Sequence, residues 1–166
     1  IENVSISSSE NLTSLNLDNN YITNIDTSKY INLEKLTLSN NKISSIDLTN
    51  NEKLKTLNLE KNKLANINLS TNNELTLLNL NNLNLTDETL SSEDISNKHN
   101  IEELYIDGNS LTSINLSNFS NLKKFSAKRN KISAIDVNNN PLLSVLDMTG
   151  NLITNIDLKN NPLLST

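Results

Sequence analysis

The chain has 166 residues, of which 35% are hydrophobic and 20% are charged, and its formal net charge at pH 7 is −5. This length suits one domain, and the negative charge argues against general nucleic-acid binding, which favours a basic face. Cysteine is absent, which excludes disulfides and thiolate metal sites. No apolar run approaches the roughly 18 residues of a membrane-spanning helix, so no membrane insertion is expected.

An apolar residue recurs along the chain and marks the first position of each unit. The intervals between these anchors are 21, 21, 21, 26, 21, 21 and 21 residues. The anchors are Leu12, Leu33, Leu54, Leu75, Ile101, Leu122, Leu143 and Leu164. A repeat of about 20–50 residues is the signature of a stacked repeat architecture.

Each unit divides into two halves with different patterns. The first half alternates apolar and polar residues, as in "LTLS" at 36–39 and "LNLE" at 57–60. This period of two predicts a strand with one buried face. The second half, such as "ISSIDL" at 43–48, returns the chain along the opposite side. Because one unit cannot bury its own apolar side, the units are expected to stack.

Asparagine supplies 35 of the 166 residues, and one column of it lies eight positions after the anchors. A carboxamide both donates and accepts hydrogen bonds, so it can satisfy backbone groups of two neighbouring turns. The predicted ladder consists of Asn20, Asn41, Asn62, Asn109, Asn130 and Asn151. A second set of asparagines is expected to do the same at the opposite corner, where Tyr30 and Phe119 stand in two units.

The fourth unit is irregular because it has 26 residues instead of 21. Leu83 replaces the ladder asparagine, and Glu88 replaces an inner isoleucine. A weak capping pattern at 91–94, with Leu90 and Ile95 both facing inward, predicts roughly two turns of helix. The unit is either a tolerated insertion in a convex loop or a spacer that changes the curvature and helps to shape a binding site.

The pattern L-x-x-L-x-L-x-x-N-x-I/L resembles the leucine-rich repeat over essentially the whole chain. The resemblance implies an α/β-type solenoid, a right-handed arc with a parallel β-sheet on its concave face. The convex side is then mostly irregular or short extended chain, with one helical 26-residue repeat. The expected domain is one solenoid spanning 1–166, with these units: a partial repeat 1–11, repeats 12–32, 33–53, 54–74, 75–100, 101–121, 122–142 and 143–163, and a truncated repeat 164–166.

Both ends of the sequence fall within repeats, and neither carries a polar cap of the kind that solenoids need over their terminal units. We therefore expect a monomeric segment of a larger protein.

No catalytic set is apparent in the sequence, and neither an enzyme activity nor a cofactor is expected. His99 is the only histidine, and without a cysteine it is expected to be a solvated loop residue. One convex column holds Asp26, Asp47, Asn68, Asn115, Asp136 and Asp157. A calcium site needs converging carboxylates, and this column is single and partly amide, so we expect exposed turn residues and no metal.

A candidate partner-binding patch lies on the concave face of the last four strands. Its residues are Leu77, Asn79, Tyr105, Lys124, Lys128, Arg129 and Val145. Tyrosine and arginine are enriched at interface hot spots. The alternative is that the charged residues only form cross-strand pairs, Glu103 with Lys124 and Asp107 with Lys128.

Units of 21 residues ending in "IDLTNN" or "IDLKNNPLL" are similar to the repeats of bacterial internalin-like proteins. The resemblance implies a secreted or surface protein whose solenoid binds a host or cell-surface macromolecule through its concave face. Two alternatives remain open. The chain could be the substrate-recognition part of an intracellular effector or scaffold, located in a host cytoplasm, or a structural spacer in a surface protein.

Overall fold

The computed structural model describes residues 10–90, 95 and 98–164. Each of the seven units contributes one strand of three residues, centred three positions after its anchor. The strands are β1 (Ser14–Asn16), β2 (Lys35–Thr37), β3 (Thr56–Asn58), β4 (Leu77–Asn79), β5 (Glu103–Tyr105), β6 (Lys124–Ser126) and β7 (Val145–Asp147).

The strands form one parallel sheet in the order β1-β2-β3-β4-β5-β6-β7. Equivalent positions of neighbouring units pair directly, so that Leu15 aligns with Leu36 and Leu36 with Leu57. The register is kept across the long fourth unit, because Leu78 of β4 aligns with Leu104 of β5. The additional residues are therefore accommodated outside the sheet, and the chain is a repeat solenoid with almost no helix among the described residues.

The core is a stack of apolar columns enclosed by successive turns. The middle residue of each strand from β2 to β6 is fully buried, and so are Ile22 and Ile43, ten positions after their anchors. In β7, Leu146 is only partly buried, because among the described residues this strand is covered by a neighbouring unit on one side only. Each unit thus buries its apolar side against its neighbours, as the expected stacking requires.

The fourth unit buries Leu90 and Ile95, as expected from their spacing. Ile95 has a helical backbone, whereas the capping pattern at 91–94 lies outside the described residues, as do residues 1–9 of the first partial repeat and 165–166 of the last. Glu88 is exposed, so the inner column is interrupted there. The carboxylate of Asp87 accepts hydrogen bonds from the backbone and hydroxyl of Thr112, which connects this unit to the next.

Candidate functional site

Strand register brings five of the seven predicted contact residues onto the concave surface of β4 to β7. Leu77, Glu103, Lys124 and Val145 align in one row across the four strands. A second row aligns Asn79, Tyr105, Ser126 and Asp147. Lys128 follows β6, and Arg129 lies beside it in the turn. We call the surface formed by Leu77, Asn79, Tyr105, Lys124, Lys128, Arg129 and Val145 the contact face.

Glu103 organises one part of the contact face. Its carboxylate accepts a hydrogen bond of 2.7 Å from the Tyr105 hydroxyl and one of 2.9 Å from the Lys124 ammonium. These two hydrogen bonds lower the pKa of Glu103. Burial, together with the hydrogen bond to Glu103, raises the pKa of Tyr105 to about 12. The tyrosine ring and the lysine are therefore held in fixed positions, with an ionised carboxylate between them.

Asp107 organises the other part. It accepts hydrogen bonds of 2.7 Å from the Ser126 hydroxyl and 2.7 Å from the Lys128 backbone N–H. The Lys128 ammonium lies 3.4 Å from Asp107 and 3.6 Å from Asp147. The charge of Asp107 raises the pKa of Lys128. Both cross-strand ion pairs named as the alternative explanation of these residues are thus present, Glu103 with Lys124 and Asp107 with Lys128.

A shallow groove of about 330 Å³ lies where the strands of the contact face end. It is lined by Glu60, Asn81, Asn82, Asp107, Gly108, Lys128, Arg129 and Thr149. On the apolar side, Leu77 is half-buried and Val145 is 48% exposed. A polar groove next to accessible apolar and aromatic carbon is an arrangement that can bind a polypeptide surface.

The first asparagine column makes the same hydrogen bonds in unit after unit. Asn62 is a representative member: its Nδ2 donates to the carbonyls of Leu38 and Leu59, each at 2.9 Å. Its Oδ1 accepts from the N–H of Ile43, in the preceding unit, at 3.0 Å. The corresponding bonds are made by Asn41, Asn109, Asn130 and Asn151. Asn20 donates to the carbonyls of Leu17 and Asp18.

A second column, three residues before each anchor, lies at the opposite corner. It consists of Tyr30, Asn51, Asn72, Lys98, Phe119, Asn140 and Asn161, all of them buried. The asparagines donate to carbonyls of the preceding unit, as Asn72 does to Leu48 and Asn51 at 3.0 and 2.9 Å. Of these four asparagines, only Asn51 has a described donor to its Oδ1, because the Thr27 hydroxyl lies 2.8 Å away. The Oδ1 atoms of the other three are buried without a described hydrogen-bond partner.

Lys98 is the unexpected member of this corner column, because its side chain is only 2% exposed. Its ammonium donates 2.9 Å to Asn73 Oδ1 and lies 3.4 Å from the carbonyl of Ser70. Burial lowers its pKa. The sequence places Lys98 in this column because it lies three positions before the anchor Ile101. The match is found only by counting back from Ile101, because the fourth unit has 26 residues instead of 21.

A third column was not identified from the sequence, and it lies seven positions after the anchors. Every residue in it has a positive φ: Asn19, Asn40, Lys61, Asn82, Gly108, Arg129 and Gly150. Glycine and asparagine tolerate this left-handed conformation, whereas lysine and arginine rarely adopt it. The turn after each strand therefore requires this conformation, including at Arg129 of the contact face.

The convex candidates form local contacts. Asp26 and Asp47 accept hydrogen bonds from the backbone and hydroxyl of the residue two positions later. The hydroxyl of Ser28 lowers the pKa of Asp26. His99 is exposed, and its Nδ1 donates to the backbone carbonyl of Asn118 at 3.0 Å.

Within the described residues, no group of three or more histidine or acidic side chains could hold a metal ion. The described residues also include no helix that is long and apolar enough to cross a membrane.

Comparison with known families gives two matches. Family models for the leucine rich repeat match residues 10–64 and 100–122. No curated protein matches the sequence.

Solved structures similar to this chain include proteins of two bacteria. The functional domain of InlJ from Listeria monocytogenes, which includes a cysteine ladder, is 29% identical with a TM-score of 0.85 over 93% of this chain and 33% of that one. Internalin C2 from the same species is 26% identical with a TM-score of 0.84 over 93% of this chain and 70% of that one.

A leucine-rich repeat protein of Leptospira interrogans shares the fold, with a TM-score of 0.86 and 23% identity over 93% of this chain and 42% of that one. The chain thus spans less than half the length of both the InlJ domain and the Leptospira protein.

Proposed function

Because the chain is an internalin-like leucine-rich repeat protein, we propose that it is a non-catalytic recognition module whose contact face binds a protein partner. The proposal includes a location outside the bacterial cell, secreted or on the cell surface, and a host or cell-surface macromolecule as the partner. The location rests on the resemblance to internalins.

The observation that carries the proposal is the preorganisation of the contact face. Tyr105 and Lys124 are both held by Glu103, and Lys128 is held between Asp107 and Asp147. Ordering a flexible side chain at an interface costs about 0.5–1.5 kcal/mol. Side chains that are already fixed avoid much of this cost.

The first three strands lack such a set. Their outward positions are Ser14, Asn16, Lys35, Thr37, Thr56 and Asn58, with no aromatic residue among them. Thr37 is itself buried on this surface. Aromatic anchors carry much of the binding energy of protein interfaces, which favours β4 to β7 over β1 to β3 as the partner-binding region.

Two substitution pairs test the proposal. The first is Tyr105→Ala with Lys128→Glu on the contact face. The second is the control, Thr56→Ala with Lys35→Glu, which makes a similar charge reversal on the same sheet where few side chains are fixed. Each protein is screened against an array of purified cell-surface ectodomains, and circular dichroism verifies that each variant is folded.

We expect a partner that binds the parent and the control but loses at least tenfold in affinity with the contact-face pair. Equal binding by all three proteins would contradict the assignment of the contact face. The absence of any partner would instead favour the spacer function, in which the Glu103 and Asp107 ion pairs serve only the sheet.

A further inference from the structure

Taken together, the turns that follow the strands have a charge opposite to that of the whole chain. Positions seven to nine after the anchors contain five cationic residues and no acidic residue in the seven units, whereas the net charge of the chain is −5. These five residues, which we call the cationic stripe, are Lys42, Lys61, Lys63, Arg129 and Lys131. Because the units stack in register, the five side chains follow one flank of the solenoid next to the contact face.

Most of this positive charge is not neutralised within the chain. All five residues are exposed. Lys61 lies 3.3 Å from Glu60, and Lys42 lies over the ring of Tyr21. The other three side chains, those of Lys63, Arg129 and Lys131, make no hydrogen bond or ion pair with the described residues.

The opposite flank, where the chain enters each strand, is organised differently. There Lys55 lies 3.0 Å from Glu34, and Lys123 lies 2.8 Å from Glu102. These two lysines are thus paired with glutamates of the preceding unit, and Lys53 of the same flank donates to Asn32 Oδ1 at 2.6 Å. Arg129 lines the groove together with Asp107, which is the acidic groove residue closest to it in sequence. The carboxylate of Asp107 is already bonded to Ser126 and Lys128, so it does not pair with Arg129. Lys63, Arg129 and Lys131 thus differ from Lys55 and Lys123, because they have no acidic or amide partner among the described residues.

We propose that the cationic stripe binds an acidic, extended segment of the protein partner that the contact face recognises. This inference rests on the proposed function, because it assigns the chemistry of a segment of that same partner. Carboxylates are the complementary groups, and the planar guanidinium of Arg129 can take one in a bidentate manner.

The spacing of the cations favours a peptide. Lys61 and Lys63 belong to the third unit, and Arg129 and Lys131 belong to the sixth. Three strand spacings of about 4.8 Å separate these units by about 14 Å. An extended chain advances about 3.3 Å per residue. The cations of the third unit and those of the sixth unit therefore match two acidic residues of a peptide that are four or five positions apart.

The turns of the fourth and fifth units, which lie between these two groups of cations, are neutral and polar. They contain Asn82, Asn84, Gly108 and Ser110. Neutral amide and hydroxyl groups suit the backbone of a peptide, whereas a uniformly charged polymer would place charges over these turns without a counterion from the protein. The negative net charge of the chain also disfavours a long polyanion.

The test uses a displayed library of random 12-residue peptides selected on the parent protein. Selected peptides are then measured by fluorescence anisotropy against three variants. The stripe variant is Lys63→Gln/Lys131→Gln, and its control is Lys55→Gln/Lys123→Gln, which makes the same change of net charge on the opposite flank. The contact-face variant is Tyr105→Ala/Lys128→Glu. Heparin and anionic phosphatidylglycerol vesicles serve as comparison probes.

We expect selected peptides with acidic residues four or five positions apart. Their affinity should fall about 2- to 30-fold in the stripe variant, as for two exposed ion pairs, and less than twofold in the control. Equal losses in both lysine pairs would overturn the inference, because net charge alone would explain them. So would stripe-dependent binding of heparin or vesicles without any acidic peptide.

The same measurements separate this inference from the proposed function. Peptides that lose affinity in the contact-face variant but not in the stripe variant would retain the proposed function and overturn the role of the stripe. A selection that yields no peptide dependent on the stripe would overturn the role of the stripe, whereas the ectodomain array alone decides on the contact face.

Discussion

The substitution Asn62→Ala tests whether the first asparagine column holds the stack together. Asn62 is 5% exposed and makes three hydrogen bonds of 2.9 to 3.0 Å with Leu38, Leu59 and Ile43. The alanine side chain removes all three, while the backbone groups remain enclosed between the units. The predicted result is a large loss of stability without a change of fold.

The magnitude follows from what the three backbone groups retain. The Leu38 carbonyl keeps a hydrogen bond of 3.0 Å from Asn41, so it loses only one of two donors. The Leu59 carbonyl and the Ile43 N–H are left without a described partner. Each orphaned group costs about 1–3 kcal/mol, and a lost but replaceable bond costs about 0.5–1.5 kcal/mol. Since water can enter part of the vacated space, we expect a loss of about 3–5 kcal/mol.

Equilibrium unfolding in guanidinium chloride, followed by circular dichroism, measures the free energy of unfolding. The matched control is Asn66→Ala, which removes an exposed asparagine of the same unit that has no described side-chain hydrogen bond. The control should change the free energy of unfolding by less than about 0.5 kcal/mol. A loss below about 1 kcal/mol for Asn62→Ala would refute the reasoning, because the carboxamide would then not be needed by the backbone.

Three further substitutions address other columns. Thr27→Val removes the hydroxyl that lies 2.8 Å from Asn51 Oδ1, and it should lower the free energy of unfolding by about 1–2 kcal/mol in the same assay. Gly108→Ala places a Cβ against Oδ1 of the exposed Asn82 side chain, which can turn away, at a φ of +65°, and it should lower the melting temperature mainly through backbone strain. Lys98→Met removes a buried ammonium. The free energy of unfolding of this variant, measured in urea and compared with that of the parent, should be most favourable at neutral pH and should decline relative to the parent as pH rises.

The sign for Lys98 follows from its lowered pKa. Between that pKa and the ordinary value of 10.5, the unfolded chain binds more protons than the folded chain, so the parent gains stability as pH rises. Methionine has no such gain. A constant difference between the two proteins from pH 7 to 10.5 would contradict the burial argument.

Matched controls exist for the other two substitutions. Thr23→Val changes an exposed threonine of the same unit as Thr27 and should be nearly neutral. Gly150→Ala shares the positive φ of Gly108, but its Cβ would meet Arg129 atoms only at 3.5 Å or more. It should therefore show the cost of the backbone conformation alone. Equal effects of the two alanines would show that the contact with Asn82 is unimportant.

The strands and their register could be predicted because the spacing of apolar residues determines which side chains share a face and which align between units. A period of two places Leu36, Leu57 and Leu78 on one face, and the constant interval between units aligns them with one another. The burial of Leu90 and Ile95 was predicted separately, as the inward-facing apolar residues of the irregular unit. These predictions depend on apolar residues, whose burial is the main source of folding free energy.

The polar columns were harder to predict because the same residue types serve several purposes in this chain. The left-handed column carried a signal, since Asn19, Asn40, Asn82, Gly108 and Gly150 are the residue types that tolerate a positive φ. The lysine and arginine in the same column obscured it. Apolar spacing alone also could not show that Glu103 would hold Tyr105 as well as Lys124, because that depends on side-chain rotamers. The role of the contact face in binding stays a prediction.

The replacement of a ladder asparagine by Leu83 has a mechanical consequence. A leucine side chain can neither donate to the neighbouring carbonyls nor accept from the preceding unit, so the column is continuous from Asn20 to Asn62 and again from Asn109 to Asn151. Near the same place, the corner column changes from asparagine to Lys98. The solenoid thus consists of two stacks of units, and the asparagine column is interrupted between them. A pulling force along the solenoid axis should separate the units there first, so that the molecule unfolds in two successive steps instead of one.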